Sequence, residues 1–256
     1  MQPDTTPTPA ALDLTLVVPA LNEERNIAGT LDAIARVLAS CPGKSAEMLV
    51  IDDGSTDRTA AKVEEISRRD PRVVLVRNPG NLGLGASLQV AIARAAGRQL
   101  LIVPGDNDLP SQTLLELIRD ADKADMVMCY FENREQRGRV RNLLSTLFGL
   151  VYTTCFDVYP QYINGPCVYP VANLRKLRLL STRFSIVAEI NVKLLRQGVS
   201  FLEVPSYRQV GMKGSSSFSL RNLGEAAAVF CRLLYEVHVA NRGAYLKRPV
   251  RVRLGP

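Results

Sequence analysis

Three stretches of the sequence share one pattern: residues 14–24 read LTLVVPALNEE, residues 47–57 read EMLVIDDGSTD, and residues 99–108 read QLLIVPGDND. In each stretch a short apolar run, typical of a buried parallel strand, is followed by polar and acidic residues. The carboxyl ends of parallel strands meet at one edge of a sheet, and ligands of open α/β folds bind there. The three stretches therefore predict a cluster of amide and carboxylate groups at a single edge.

Strands and helices alternate along the first half of the chain, which is typical of an α/β fold with a doubly wound, mostly parallel sheet. The apolar runs predict strands over 14–19, 47–51, 73–76, 99–103 and 126–130, with helices between them. The less regular second half predicts helices over 134–148, 184–197 and 220–239 and a strand over 201–204. We expect a disordered leader over 1–11, one domain over 12–219, and a C-terminal helix and basic tail over 220–256.

The 256-residue chain carries a formal net charge of +7. No apolar run reaches the ~18–20 residues that span a bilayer. Arginines cluster over 134–141 and 247–253, which favours contact with phosphate or an anionic membrane surface, and a solvated basic face is the alternative. Nucleic acid is disfavoured because basic stripes with interleaved aromatic residues are not evident. The single histidine, His238, makes a histidine-based metal site improbable.

Asp106 and Asp108 flank Asn107 directly after an apolar strand. Two carboxylates two residues apart on a turn can converge on one hard cation, and Mg²⁺ or Mn²⁺ held there would bridge a diphosphate. Asp52 and Asp53 also follow a strand, where a carboxylate can accept hydrogen bonds from a ribose or a base. The alternative at both places is an acidic turn that caps the next helix.

Four motifs occur in order: VVPALNEERNI over 17–27, VIDDGSTD over 50–57, NPGNLGLGAS over 78–87 and PGDNDLP over 104–110. Together they resemble the family 2 glycosyltransferases of the GT-A fold, and most of all the branch of polyprenyl- and dolichol-phosphate mannose synthases. The resemblance implies a metal-dependent, inverting transfer of mannose or glucose from GDP-mannose or UDP-glucose to a polyprenyl phosphate. The alternatives are a transferase that acts on a hydroxyl of a soluble glycan or small metabolite, and a binding module without turnover.

The resemblance also implies the residues of the site. Those that would bind the nucleotide sugar are Pro19, Ala20, Asn22, Glu23, Asp52, Asp53, Gly83, Asp106, Asn107, Arg208 and Lys213. Asp106 and Asp108 would hold the metal, and Asp108 and Glu189 are the catalytic candidates. An alcohol acceptor needs a general base, for which Glu189 is the candidate, whereas a phosphate acceptor is already anionic and Glu189 would then only orient groups. The alternative for Glu189 is an acid favoured by a helix N-terminus.

Arg134, Arg137 and Arg141 are spaced three to four residues apart, so on a helix they share one face, which Ser145 continues. In the resembling family an arginine and a serine at such spacing engage the acceptor phosphate, which makes Arg134, Arg141 and Ser145 the candidates here. The C-terminal helix and basic tail would dock on anionic lipid, or the helix would pack on the core or on a partner subunit. We expect a cytoplasmic protein that contacts the inner face of the membrane peripherally.

Overall fold

The computed structural model describes residues 12–133, 139–207 and 220–253, with the side chains of 139–141 and 220–223 excepted. Its strands are β1 (Leu12–Ala20), β2 (Ala46–Asp52), β3 (Val73–Arg77), β4 (Gly97–Ile102), β5 (Met126–Phe131), β6 (Cys167–Pro170), β7 (Ser200–Ser206) and β8 (Val250–Val252). Its α-helices are α1 (Ile27–Ala39), α2 (Thr59–Ser67), α3 (Leu84–Arg94), α4 (Ser111–Arg119), α5 (Arg139–Phe156), α6 (Val171–Leu174), α7 (Ile186–Arg196) and α8 (Leu220–Tyr235).

The strands form one eight-stranded sheet in the order β3-β2-β1-β4-β6-β5-β7-β8. β6 runs antiparallel to β4 and to β5, and the other neighbouring pairs are parallel. In the register of the central strands, Ala20 of β1 lies beside Asp52 of β2, and Val17 of β1 beside Ile102 of β4. The acidic segments after β1, β2 and β4 therefore emerge at one edge, and the predicted α/β sheet is confirmed.

Hydrophobic side chains cover both faces of the sheet because successive residues of a strand point to opposite sides. Val17 packs in a core cluster with residues of α3, α7 and α8. Its neighbours Leu16 and Val18 belong to the other cluster, with residues of α1 and α4. This two-sided burial explains why β1 reads as a continuous apolar run rather than as an alternating one.

The second half of the chain departs from the sequence-based expectation in several elements. Helix α5 extends to Phe156, eight residues beyond the end predicted at 148. The strands β6 and β8 were not predicted, and β8 lies within the expected basic tail, where it pairs with β7. Helix α8 contributes Val229 and Leu233 to the core, so the helix packs on the domain itself. None of the helices among the described residues is long and apolar enough to cross a bilayer.

Candidate active site

A cleft of about 500 Å³ lies where β1, β2 and β4 end, a volume within the range of small-molecule sites. The first wall comes from the first half of the chain, and its residues include Pro19, Ala20, Glu23, Asp53, Gly83, Ser87, Gly105, Asp106 and Asp108. The second wall comes from later segments, and its residues include Phe131, Tyr162, Asn164, Gly165, Arg183, Phe184 and Val187. The predicted acidic cluster thus faces a concave space.

Asp53 fixes the glycine-rich turn that precedes α3. One oxygen of its buried carboxylate accepts hydrogen bonds from Asn78 Nδ2 at 2.8 Å and from the amide of Leu82 at 3.0 Å. The other oxygen accepts one from the amide of Gly83 at 2.8 Å. Gly83 has φ +94°, a conformation that a residue with a Cβ adopts only with strain. Asp53 therefore shapes the first wall as well as lining it.

Asn22 ties together the loops that follow β1 and β2. Its backbone has φ 57°, and its side-chain oxygen accepts a hydrogen bond from the amide of Thr56 at 2.9 Å. The amide of Asn22 in turn donates to Ser55 Oγ at 2.9 Å. Glu23, next in the chain, lines the cleft, whereas Asn22 lies outside its lining. The asparagine that was predicted to bind the donor thus holds the loops that carry Glu23 and Asp53.

The Asp106-Asn107-Asp108 turn is held in a fixed shape at the end of β4. The amide of Asp108 donates to Asp106 Oδ1 at 3.1 Å, and Thr30 Oγ1 donates to the carbonyl of Gly105 at 3.0 Å. Asn107 has φ 59°, which asparagine tolerates better than most residues, and its side chain lies outside the cleft lining. Both aspartates are half-buried and line the cleft.

The donor set at this turn fits Mg²⁺ or Mn²⁺. Both groups are carboxylates, which hard divalent cations prefer, and the described residues hold no cluster of three or more His, Cys, Asp or Glu side chains suited to a metal. Two carboxylates suffice where substrate phosphates and water complete the coordination, which is how Mg²⁺ is usually bound. The turn therefore suits a metal that arrives with a diphosphate.

The second wall contains residues that the motifs did not indicate. Arg183 and Phe184 precede α7, and Val187 lies in its first turn. Tyr162 and Asn164 lie before the Gly165-Pro166 turn. That turn was visible in the sequence, but no spacing or periodicity pointed to Arg183.

Glu189, the candidate general base for an alcohol acceptor, lies behind the second wall and not in the cleft lining. Its side chain is fully buried. One carboxylate oxygen accepts a hydrogen bond from the amide of Leu180 and the other from the amide of Ser181, both at 2.8 Å. Lys193, also fully buried, pairs with it at 2.8 Å. A carboxylate held in this way cannot reach an acceptor hydroxyl without breaking these bonds, because proton transfer requires hydrogen-bond contact.

The buried charges around Glu189 extend to the C-terminal part of the chain. Lys193 Nζ also pairs with Glu236 at 2.9 Å, and Tyr245 donates a hydrogen bond to Glu236 at 3.1 Å. Burial, together with the nearby negative charges of Glu189 and Glu225, raises the pKa of the Tyr152 hydroxyl. These groups form a polar network within the hydrophobic core beneath the second wall.

The remaining predicted residues lie away from the cleft or outside the described part of the chain. Asp52 is fully buried behind the first wall, where one oxygen accepts a hydrogen bond from the amide of Ser55 at 3.0 Å. Ser145 lies on α5 and is not part of the cleft lining. Arg141 belongs to α5, but its side chain is outside the described set, and Arg134, Arg208 and Lys213 lie outside the described residues.

Comparison with known proteins gives a family match over most of the chain. The model described as Glycosyl transferase family 2 matches residues 15–177. Dolichyl-phosphate beta-glucosyltransferase ALG5A of Trichomonas vaginalis is 33% identical over 102 residues, which cover 38% of this chain and 32% of that protein. Dodecaprenyl-phosphate galacturonate synthase of Rhizobium johnstonii is 27% identical over 128 residues, which cover 49% of this chain and 38% of that protein. The chain thus spans about a third of the length of these curated relatives.

Solved structures share the fold over nearly the whole chain. Mannosyl-3-phosphoglycerate synthase from Rubrobacter xylanophilus has a TM-score of 0.66 at 20% identity, and the match covers 91% of this chain and 76% of that one. Glucosyl-3-phosphoglycerate synthase from Mycobacterium tuberculosis, crystallised with Mg²⁺ and uridine diphosphate, has a TM-score of 0.64 at 19% identity. This match covers 89% of this chain and 79% of that one. At such identities the similarity concerns the fold, and the GT-A fold predicted from the sequence is confirmed.

Proposed function

Because the chain belongs to glycosyl transferase family 2, we propose that it transfers a hexose, mannose or glucose, from a nucleoside-diphosphate sugar to a polyprenyl phosphate. One observation carries the proposal. Asp53 follows β2 and Asp106 and Asp108 follow β4, the two strands that flank β1, and all three line one cleft with the Gly83 turn. The relatives named for transfer to dolichyl or dodecaprenyl phosphate support the class of acceptor.

The first wall is suited to the donor. Pro19 and Ala20 give an apolar surface beside the carboxylates of Glu23 and Asp53, which are acceptors for hydroxyl and imide groups of a nucleoside. Asp52 and Asn22 fix the loop that follows β2 through their bonds to Ser55 and Thr56. Arg208 and Lys213 remain predicted ligands of the donor diphosphate, because basic side chains form charge-assisted hydrogen bonds with phosphate.

Asp106 and Asp108 would hold the divalent cation, which, when bound, offsets the negative charge that develops on the departing nucleoside diphosphate. The bond from the backbone amide of Asp108 holds the Asp106 carboxylate against the turn that carries Asp108 before any ligand arrives. Such preorganisation matters because groups already in place need no rearrangement in the transition state. Asp108 is the proposed catalytic residue in this sense, since it would act on the leaving group.

The acceptor phosphate oxygen would attack the anomeric carbon in line with the departing diphosphate, which inverts the configuration there. A phosphate monoester is anionic at neutral pH, so this attack needs no general base. The buried placement of Glu189 agrees with that requirement, and we assign this residue a positioning role. Arg134, Arg141 and Ser145 remain the predicted contacts of the acceptor phosphate.

A second candidate function is transfer to a small phosphorylated acceptor rather than to a lipid. It is favoured by the solved glucosyl-3-phosphoglycerate synthase, which has been crystallised with phosphoglyceric acid. Such an acceptor also brings its own anionic group to the cleft. The two candidates share the donor site, and they differ in whether turnover requires a polyprenyl chain.

A donor panel tests both candidates. GDP-mannose, UDP-glucose and related donors are incubated with Mg²⁺ or Mn²⁺, with and without a polyprenyl phosphate, and release of the nucleoside diphosphate is measured. We expect release that requires both the metal and the polyprenyl phosphate. Asp106→Asn should abolish it, whereas Asp32→Asn, which alters an exposed acid on α1 paired with Arg36, should not. Full turnover with a soluble acceptor and no lipid would overturn the lipid half of the proposal.

A further inference from the structure

Acidic side chains outnumber basic ones in the described lining of the cleft. The four acids are Glu23, Asp53, Asp106 and Asp108, and Arg183 is the one basic side chain among the lining residues that the structure describes. The proposed function, on which this inference rests, brings a diphosphate and an acceptor phosphate to the same cleft. One divalent cation cannot balance all of these negative charges, so the cleft needs further positive charge near the phosphates.

Arg183 is placed so that its charge remains available. Its side chain is half-buried, and its guanidinium makes no ion pair with another described residue. Its aliphatic stem borders the glycine turn of the first wall, since a Cβ on Gly83 would lie 3.5 Å from Arg183 Cγ. A guanidinium carried on such a stem can present several N–H donors to phosphate oxygens.

The backbone around Arg183 is fastened to two helices. We call residues 180–185 the anchor segment. On one side, the amides of Gly85 and Ala86 at the start of α3 donate to the carbonyl of Thr182 at 3.0 and 3.2 Å. On the other side, the carboxylate of Glu189 accepts hydrogen bonds from the first two amides of the segment. The main chain that carries Arg183 is therefore held between α3 and α7.

Glu225 adds a third attachment, from α8. Its carboxylate accepts hydrogen bonds from Ser181 Oγ at 2.7 Å and from Ser185 Oγ at 2.9 Å. These serines lie two residues before and two residues after Arg183. Ser181 Oγ also accepts a hydrogen bond from the amide of Arg183 at 3.3 Å. A single carboxylate on α8 thus fixes both ends of the short stretch that presents the guanidinium.

We propose that Arg183 is a phosphate-binding residue of this cleft and that Glu225 and Glu189 are positioning residues that hold it there. The phosphate is either the diphosphate of the donor or the phosphate of the acceptor, since both present the same oxygen chemistry. The fixed backbone keeps the guanidinium on the cleft wall, which lowers the entropy lost when it binds.

Steady-state kinetics of Arg183→Ala and Arg183→Lys test the phosphate role. Loss of a charge-assisted hydrogen bond to phosphate should raise one KM by about 10- to 100-fold. Lysine should restore part of the loss, because it keeps the charge but not the planar array of donors. The matched control is Arg178→Ala, an exposed arginine just before the anchor segment and outside the cleft lining, and it should leave both KM values unchanged.

The two substrates distinguish the source of the phosphate. A higher KM for the nucleotide sugar would place Arg183 at the donor diphosphate, and a higher KM for the polyprenyl phosphate would place it at the acceptor. If the wild type turns over while Arg183→Ala keeps both KM values and kcat, this inference is overturned and the proposed function stands. A wild type that releases no nucleoside diphosphate with any donor would overturn the proposed function, and this inference with it.

A double-mutant cycle tests the positioning role. Glu225→Gln retains the size of the side chain but weakens its bonds to the two serines, so it should raise the same KM as Arg183→Ala. Combined with Arg183→Ala it should add little, because the residue that it positions is already gone. Fully additive effects would show that Glu225 merely stabilises the fold. The same conclusion would follow if Glu225→Gln lowered kcat and the unfolding midpoint together and left both KM values unchanged.

Discussion

Replacing Gly85 with alanine should both destabilise the protein and weaken substrate binding, because the added methyl group would collide with the main chain of the anchor segment. A Cβ on Gly85 would lie 2.5 Å from the carbonyl carbon of Thr182, 2.6 Å from the carbonyl oxygen of Ser181 and 2.7 Å from the amide nitrogen of Arg183. All three are main-chain atoms, so rotation of a side chain cannot relieve the contacts. The anchor segment would have to move away from α3, and Arg183 would move with it.

The expected loss of stability follows from two opposing effects. Overpacking at a tightly packed position costs about 1–3 kcal/mol. Alanine in a helix is favoured over glycine by at most about 1 kcal/mol, and Gly85 lies in the first turn of α3, where the gain is smaller. The net change in the free energy of unfolding should therefore be a loss of about 1–2 kcal/mol.

Urea denaturation measures this loss, with Gly80→Ala as the matched control. A Cβ on Gly80 would have no neighbour within 4 Å, and the residue lies outside the left-handed region of φ. The control should be neutral or more stable by up to about 1 kcal/mol. The KM raised by Arg183→Ala should also rise in Gly85→Ala, and not in the control. Equal midpoints for the two variants would refute the claim that the anchor segment is packed tightly against α3.

Three further predictions concern the metal, the buried charges and the thiols. Asp108→Asn should lower kcat/KM roughly 100-fold, measured as initial rates across a Mn²⁺ titration. Lys193→Met would leave the buried carboxylates of Glu189 and Glu236 without their cation and should cost about 3–5 kcal/mol in urea denaturation. Iodoacetamide at pH 8 should label exposed Cys231 in the native protein, but label Cys167 only after unfolding, because burial raises the pKa of its thiol to about 12. Peptide mass spectrometry before and after addition of urea checks the order of labelling.

The parts of the fold that could be predicted from the sequence are those with a local signal. The stretches over 14–24, 47–57 and 99–108 each combine an apolar run with an acidic turn, and the structure places the three turns at one edge of the sheet, as expected. Strand β6 has only four residues and exists because it pairs with β4 and β5, which are distant in sequence. Strand β8 likewise depends on β7, and its charged sequence predicted a tail.

Glu189 shows why the role of a residue is harder to predict than its secondary structure. The sequence placed it correctly near the start of a helix, where an acid is common. Its burial results from Lys193 one turn later and from Glu236, which is 47 residues away in the chain and reaches Lys193 only in the folded protein. Arg183 had no motif at all, since it lies in an irregular segment. Neither placement could be derived from local pattern.

The family match covers the first wall of the cleft and only part of the second wall. The match to the family model ends at residue 177 and includes the acidic turns of the first wall. Arg183, Glu189 and Glu225 all lie beyond it, as does the network that joins α7 to the C-terminal part of the chain. The family match therefore covers the acidic turns of the first wall, whereas the two carboxylates that hold the segment around Arg183 come from the part of the chain that follows the match. Substitutions in the anchor segment should accordingly raise the KM of the substrate whose phosphate Arg183 binds, and leave the need for metal unchanged.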